Sequence, residues 1–173
     1  DIIINKLRVD HLMAVIDKLN EMGIKVKKLG SQNGYDQVRV VGTKSCKACE
    51  LTTLPYPGFP TDLQAQFAAV LSLAKGISFI TEKVYPDRFM HVAELNRMGA
   101  RMRKESSTIM IEGVEFLSGA PVMASDLRAS AALILAALVA RGKTSIDRIY
   151  HLQRGYENID KKLKALGASV SME

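Results

Sequence analysis

The sequence predicts an α/β fold with helices in its interior and sheet around them, and three observations carry that expectation. Two segments, PTDLQAQFAAVLSLAKG (Pro60–Gly76) and ASDLRASAALILAALVARG (Ala124–Gly142), are apolar through nearly all of their bodies. A helix that is hydrophobic all round must be covered all round. Three other segments, HLMAVIDKLNEMGIKV, HVAELNRMGARM and NIDKKLKALGASV, carry apolar residues at helical spacing and stop at Gly23, Gly99 and Gly167. Glycine is the expected residue at a left-handed C-terminal cap. Finally, the two kinds of helix alternate, and the whole pattern repeats at roughly 65 to 70 residues, the signature of a repeated supersecondary unit.

The unit reads as strand, apolar helix, strand, amphipathic helix, strand, strand. Residues 1–52 supply the second half of one copy: a strand (DIIINKLRV), a helix with Leu12, Val15, Leu19 and Met22 on one face, and alternating strands beyond Gly23. Residues 53–117 hold the Pro60–Gly76 helix, a strand in ISFITEKVYPDRF, and a helix with Val92, Leu95 and Met98 inward. Residues 118–173 repeat the order, with TSIDRIYHLQRGY and then Ile159, Leu163 and Leu166. Each glycine-capped helix is expected to lead into a short alternating strand. Turn residues in LPYPGFP and LSGAP separate the elements. A chain of 173 residues reads as one domain, 1–173. It opens in mid-strand at Asp1, which points to a piece of a longer protein.

Composition narrows the function. The net charge of +6 favours anionic partners. The absence of tryptophan, of an arginine-rich run and of an aromatic stacking cluster argues against nucleic acid. The longest apolar run, Ala131–Ala140, is about half the length that crosses a bilayer. With no secretion signal at the start, the expected location is the cytoplasm. Cys46 and Cys49 form one CxxC without a second ligand pair, so they read as packing residues rather than a metal or redox site.

The starts of the two apolar helices hold the chemistry. Thr61 and Ser125 are N-cap candidates, and Gln64 completes a capping-box pattern behind Thr61. The matching place behind Ser125 holds Arg128. A cation there is repelled by the helix dipole by about 0.3–1 kcal/mol, partly offset by Asp126. Either Arg128 reaches outward to pair with a carboxylate, or it converges with free backbone N–H groups on an anion. Asp62, at the start of the other helix, suits a hydrogen-bond acceptor that orients a hydroxyl better than a strong base. Arg88 and Arg154 sit at the unit junctions, as surface charges or as further anion ligands. The adjacent His91 and His151 read as capping or packing residues.

The motifs PYPGFPTDLQAQF, DRFMHVAELNRMGA, LSGAPVMASDLRASAALILAALVA and DRIYHLQRGYENIDKKLKALGA closely resemble the UDP-N-acetylglucosamine enolpyruvyl transferases, also called 1-carboxyvinyltransferases. The related shikimate-pathway enzymes share the fold without these motifs. The resemblance implies an inside-out α/β barrel domain of βαβαββ units with buried helices. It implies transfer of the enolpyruvyl group of phosphoenolpyruvate to the 3-hydroxyl of UDP-N-acetylglucosamine by addition and elimination. That is the first committed step of peptidoglycan synthesis, and so bears on cell-wall biogenesis, cell shape and cell division; no cofactor is needed.

Residue by residue, the resemblance puts Asp62 at the sugar 3-hydroxyl in proton transfer and the Val84 backbone at the N-acetylglucosamine. Arg88 joins the substrate-binding set; Asp126, Leu127 and Arg128 fall on the phosphoenolpyruvate side; Arg154 binds phosphoenolpyruvate directly. Gln153 departs from the acidic residue usual before RGYE. The family's cysteine loop, its lysine–asparagine pair and most of its uridine pocket have no counterpart here, and Cys46 and Cys49 do not match that loop. The chain corresponds to the last two fifths of such an enzyme and is expected to be inactive without the missing N-terminal domain. The competing reading is a non-catalytic module binding a sugar nucleotide or a partner protein. An uncovered sheet edge is also expected to promote self-association.

Overall fold

The computed structural model describes residues 1–172 and shows the repeated unit directly. The middle copy is complete: β4 (Glu50–Thr52), α2 (Gln64–Leu71), β5 (Ile77–Thr81), α3 (His91–Arg97), β6 (Arg101–Glu105) and β7 (Thr108–Glu112) run in the order βαβαββ. Before it stand β1 (Ile2–Leu7), α1 (Met13–Glu21), β2 (Lys25–Gln32) and β3 (Tyr35–Val41). After it come β8 (Pro121–Met123), α4 (Leu127–Val139), β9 (Ser145–Asp147), α5 (Tyr150–Gln153) and α6 (Ile159–Ala165). The strands form three sheets, ordered β1-β3-β2, β4-β5-β7-β6 and β8-β9. β4 and β5 pair in parallel across α2, as do β8 and β9 across α4. The two apolar helices therefore occupy equivalent crossovers, and they pack against each other.

Small residues permit that packing. Ala65, Ala68 and Ala69 on α2, and Ala129, Ala132 and Ala136 on α4, are all buried. At three- and four-residue spacing they form narrow stripes over which two helices can approach closely. Phe67, Leu71 and Leu133 fill the space around them, joined by Ile80, Leu95, Met98, Ile109 and Ile111 from the surrounding elements. The α2 helix is buried at every position except Val70, which is half-buried. The α4 helix departs from all-round cover: Leu135, Leu138 and Val139 make an exposed stripe towards its C-terminal end.

Gly23, Gly99 and Gly167 all take positive φ, at 88°, 94° and 93°. In each case the glycine reverses the chain where a Cβ would be strained. The strand expected beyond Gly167 does not form; Ala168–Met172 has no regular structure. A strand requires a neighbour for its N–H and C=O groups, and pattern alone cannot supply one. Cys49 lies in the core just before β4, and the partly buried Cys46 packs against the same core. Burial pushes the Cys49 thiol up to about 11 and raises Cys46 as well, so neither is poised as a thiolate at neutral pH. Among the described residues no helix is long and apolar enough to cross a membrane.

Candidate functional site

The N-terminal ends of α2 and α4 meet, and their charged residues join. Asp62 lies in a 3₁₀ turn (Thr61–Leu63) that leads into α2. Its Oδ1 accepts from Arg88 Nη1 at 2.9 Å and from Arg128 Nε at 2.9 Å. Arg128 Nη2 also lies 2.9 Å from that oxygen. The Asp62 side chain is 62% exposed, whereas Arg88 and Arg128 are 16% and 31% exposed. One accessible carboxylate is thus gripped by two better-buried guanidinium groups. Arg88 also lies against the Tyr85 ring, 4.1 Å from its centroid. That contact holds the guanidinium plane.

The local caps differ from the sequence expectation. Asp126, not Ser125, is the N-cap of α4: its side chain accepts from the Ala129 N–H at 2.7 Å. Arg128 is accordingly the second helical residue, and the dipole penalty is met by Asp62 reaching across from the other helix. Thr61 does not form a capping box with Gln64. Its hydroxyl donates to Glu82 Oε2 at 2.9 Å and accepts from Arg88 Nη1 at 3.0 Å. Gln64 is fully buried, and neither of its amide atoms has a hydrogen-bond partner among the described residues. The Thr61 oxygen that a capping box would turn to the Gln64 N–H is instead oriented by donation to Glu82 and occupied by Arg88.

Arg154 is exposed at the C-terminal end of α5. Its neighbour Gly155 backs onto the first residue of α4: a Cβ there would stand 2.7 Å from Leu127 Cδ1. Only a glycine lets the RGY segment approach so closely, and this puts Arg154 beside the α4 N-terminus. Val84 is half-buried, and its N–H donates to Glu82 Oε1 at 2.8 Å. A ligand at Val84 would therefore meet its carbonyl. His91 is 2% exposed, and among the described residues its Nε2 has no hydrogen-bond partner. Burial pushes it down to about 4, against an opposing pull from Asp126. It is a neutral packing residue. His151 stacks on Tyr150, with ring centroids 4.1 Å apart.

Glu82 is the residue that sequence reasoning missed. Nothing in ISFITEKV separates an acid that faces solvent beyond a strand from one that turns inward. The only local hint is the loop that follows, which offers unpaired N–H groups to an acceptor.

The model of the EPSP synthase (3-phosphoshikimate 1-carboxyvinyltransferase) family matches residues 1–163. The chain belongs to the EPSP synthase family. Within it, the chain is 53% identical over 170 residues to the UDP-N-acetylglucosamine 1-carboxyvinyltransferase of Thermodesulfovibrio yellowstonii, covering 98% of this chain and 40% of that protein. It is 54% identical over 167 residues to the enzyme of the same name from Xylella fastidiosa strain M12, covering 95% of this chain and 38% of that protein. The chain thus spans about two fifths of the length of these curated relatives. Among solved structures, the enolpyruvyl transferase NikO from Streptomyces tendae superposes with a TM-score of 0.79 at 32% identity, over 91% of this chain and 36% of that one. The EPSP synthase of Acinetobacter baumannii superposes with a TM-score of 0.66 over 93% of this chain and 37% of its own; at 21% identity, that likeness concerns the fold. The order and packing of elements described above are thus shared with a solved enolpyruvyl transferase.

Proposed function

We propose that this chain forms one wall of the cleft of an enolpyruvyl transferase that moves the enolpyruvyl group of phosphoenolpyruvate to the 3-hydroxyl of UDP-N-acetylglucosamine and releases phosphate. The observation that supports this best is the convergence of Arg88 and Arg128 on Asp62 where α2 and α4 begin. Two guanidinium groups beside the N-terminus of α4 offer hydrogen-bond forks and a positive field to a phosphate or carboxylate. When that anion arrives, Asp62 can exchange an arginine for the sugar hydroxyl, accept its hydrogen bond and aim its oxygen at C2 of phosphoenolpyruvate. As the hydroxyl gives up its proton, its oxygen bonds to C2 and C3 takes up a proton to become a methyl group, forming a tetrahedral intermediate; loss of a proton from that methyl group with departure of phosphate from C2 restores the double bond. Arg128 and Arg154 hold the phosphoenolpyruvate charges, and Leu127 and Asp126 place the start of α4 against them. Val84 presents its carbonyl, and Arg88 its guanidinium, on the sugar side. A soluble enzyme acting in the cytoplasm on cell-wall precursors fits this chemistry.

Phosphate release from the two substrates tests the proposal. In the full-length protein, Asp62→Asn and Arg154→Ala should each lower kcat/KM by about 100-fold or more, as loss of a charge-stabilising group commonly does. Arg154→Ala should leave the melting temperature unchanged, because the residue is exposed. An unchanged kcat/KM in both variants would refute the assignment. This chain alone should show no turnover, since a single wall encloses too little of a small ligand. Submicromolar binding of UDP-N-acetylglucosamine by this chain alone, measured by calorimetry, would favour a binding module instead.

A further inference from the structure

Outside the Asp62 cluster, the densest polar arrangement surrounds Glu82, the residue directly after β5. Its side chain is fully buried. Oε1 accepts from the Thr53 hydroxyl at 2.6 Å, the Val84 N–H at 2.8 Å and the Tyr85 N–H at 2.9 Å. Oε2 accepts from the Thr61 hydroxyl at 2.9 Å. Thr53 Oγ1 accepts in turn from the Lys83 N–H at 2.9 Å. Burial alone would raise this carboxyl, but the bonds from Thr53, the Tyr85 N–H, Thr61 and the Val84 N–H outweigh it and hold it below the usual carboxylate range. The group is therefore a buried anion satisfied by hydrogen bonds.

We propose that Glu82 is a positioning residue that sets the Asp62 turn and the Val84–Tyr85 loop in one geometry. A hydroxyl has a single proton, and Thr61 gives its proton to Glu82. That choice turns the Thr61 lone pairs towards Arg88, whose Nη1 is shared between Thr61 and Asp62. The direction of the Arg88–Asp62 contact thus depends on Glu82, one residue further back. The same carboxylate uses up the N–H groups of Val84 and Tyr85; the Tyr85 carbonyl accepts from the Arg88 N–H at 2.9 Å, and the Val84 carbonyl is left for a ligand. One buried anion therefore ties three chain segments together: the residue beyond β4, the turn before α2, and the loop after β5. Replacing such a network by apolar packing often costs little stability, so its main consequence is geometric.

The kinetic arm of the test rests on the transferase reading; the exchange arm does not. In Glu82→Gln, the amide oxygen can keep the Thr53, Val84 and Tyr85 bonds. The amide NH₂ then faces Thr61, whose proton loses its acceptor. Thr61→Val cuts the same link from the other end and also removes the oxygen that accepts from Arg88 Nη1. In the full-length protein each should lower kcat/KM by about 10- to 100-fold through misplacement of reacting groups. The double variant should be no worse than the poorer single variant, because both cut one link. Thr61→Ser, which keeps the hydroxyl, should restore most of the loss. Losses that multiply in the double variant, or activity per folded molecule that stays unchanged while the melting temperature falls, would overturn the proposal. Independently, Glu82→Leu should speed amide hydrogen exchange at Val84 and Tyr85 without changing that of Ile80 in β5. Unchanged protection at Val84 and Tyr85 would equally overturn it. An inactive wild-type protein would count against the transferase reading and leave the exchange result standing.

Discussion

Removing the Asp62 carboxylate leaves two guanidinium groups facing each other. Their donor nitrogens each lie 2.9 Å from the same Oδ1, so they are no more than about 6 Å apart. At that distance two like charges repel by about 0.7 kcal/mol in bulk water and about 3 kcal/mol at an effective dielectric of 20. The Asp62 side chain is 62% exposed, which puts the effect near the lower figure. Asp62→Ala should therefore destabilise the protein by about 1 kcal/mol in urea denaturation at low salt. The double variant Asp62→Ala/Arg128→Ala should recover most of that loss, because only one cation remains. The gap between wild type and Asp62→Ala should also narrow in 1 M salt, where the screening length is about 3 Å. If removing Arg128 recovers nothing and salt leaves the gap unchanged, the two arginines are not coupled through Asp62.

Further expectations concern the core and the surface. Leu133→Ala, at a fully buried position on α4, should cost about 3–5 kcal/mol by denaturant unfolding, whereas Leu138→Ala on the exposed stripe should cost less than about 1 kcal/mol. Burial holds His91 near 4 in the folded state, below its unfolded value near 6.5. The unfolded chain therefore binds more protons between these values, and stability should fall by up to about 3 kcal/mol as the pH drops through that window. His91→Leu should flatten this dependence in a pH series of unfolding curves. β1 is a sheet edge with Ile2, Ile3 and Ile4 exposed, and α4 shows Leu135, Leu138 and Val139. The isolated chain should therefore self-associate in sedimentation runs at high concentration, and a clean monomer would refute this.

Much of the fold was legible because it rests on short-range rules. Periodicity marked α1 and α3, glycine marked the three left-handed caps, and nearly unbroken apolar runs marked α2 and the first part of α4 as interior. The same rules misplaced the caps: Ser125 lost the N-cap to Asp126, and Thr61 left Gln64 for Glu82. The strand read beyond Gly167 failed because pairing is a property of neighbours. Of the candidate site, Arg128 stood out as a cation in an unfavourable place. Its partner was not nameable, because Asp62 is 66 positions away along the chain.

By itself, then, the sequence determined the βαβαββ order of the middle unit, the burial of α2 and of the first part of α4, and the types of charge at their tips, since spacing and dipole act within a few residues. Tertiary structure alone decided that both tips meet, that one carboxylate serves two arginines, and that Glu82 turns inward to hold Thr61 and the Val84–Tyr85 loop. Such pairings depend on which donors the folded chain leaves without water, and that becomes defined only once the helices and sheets have packed.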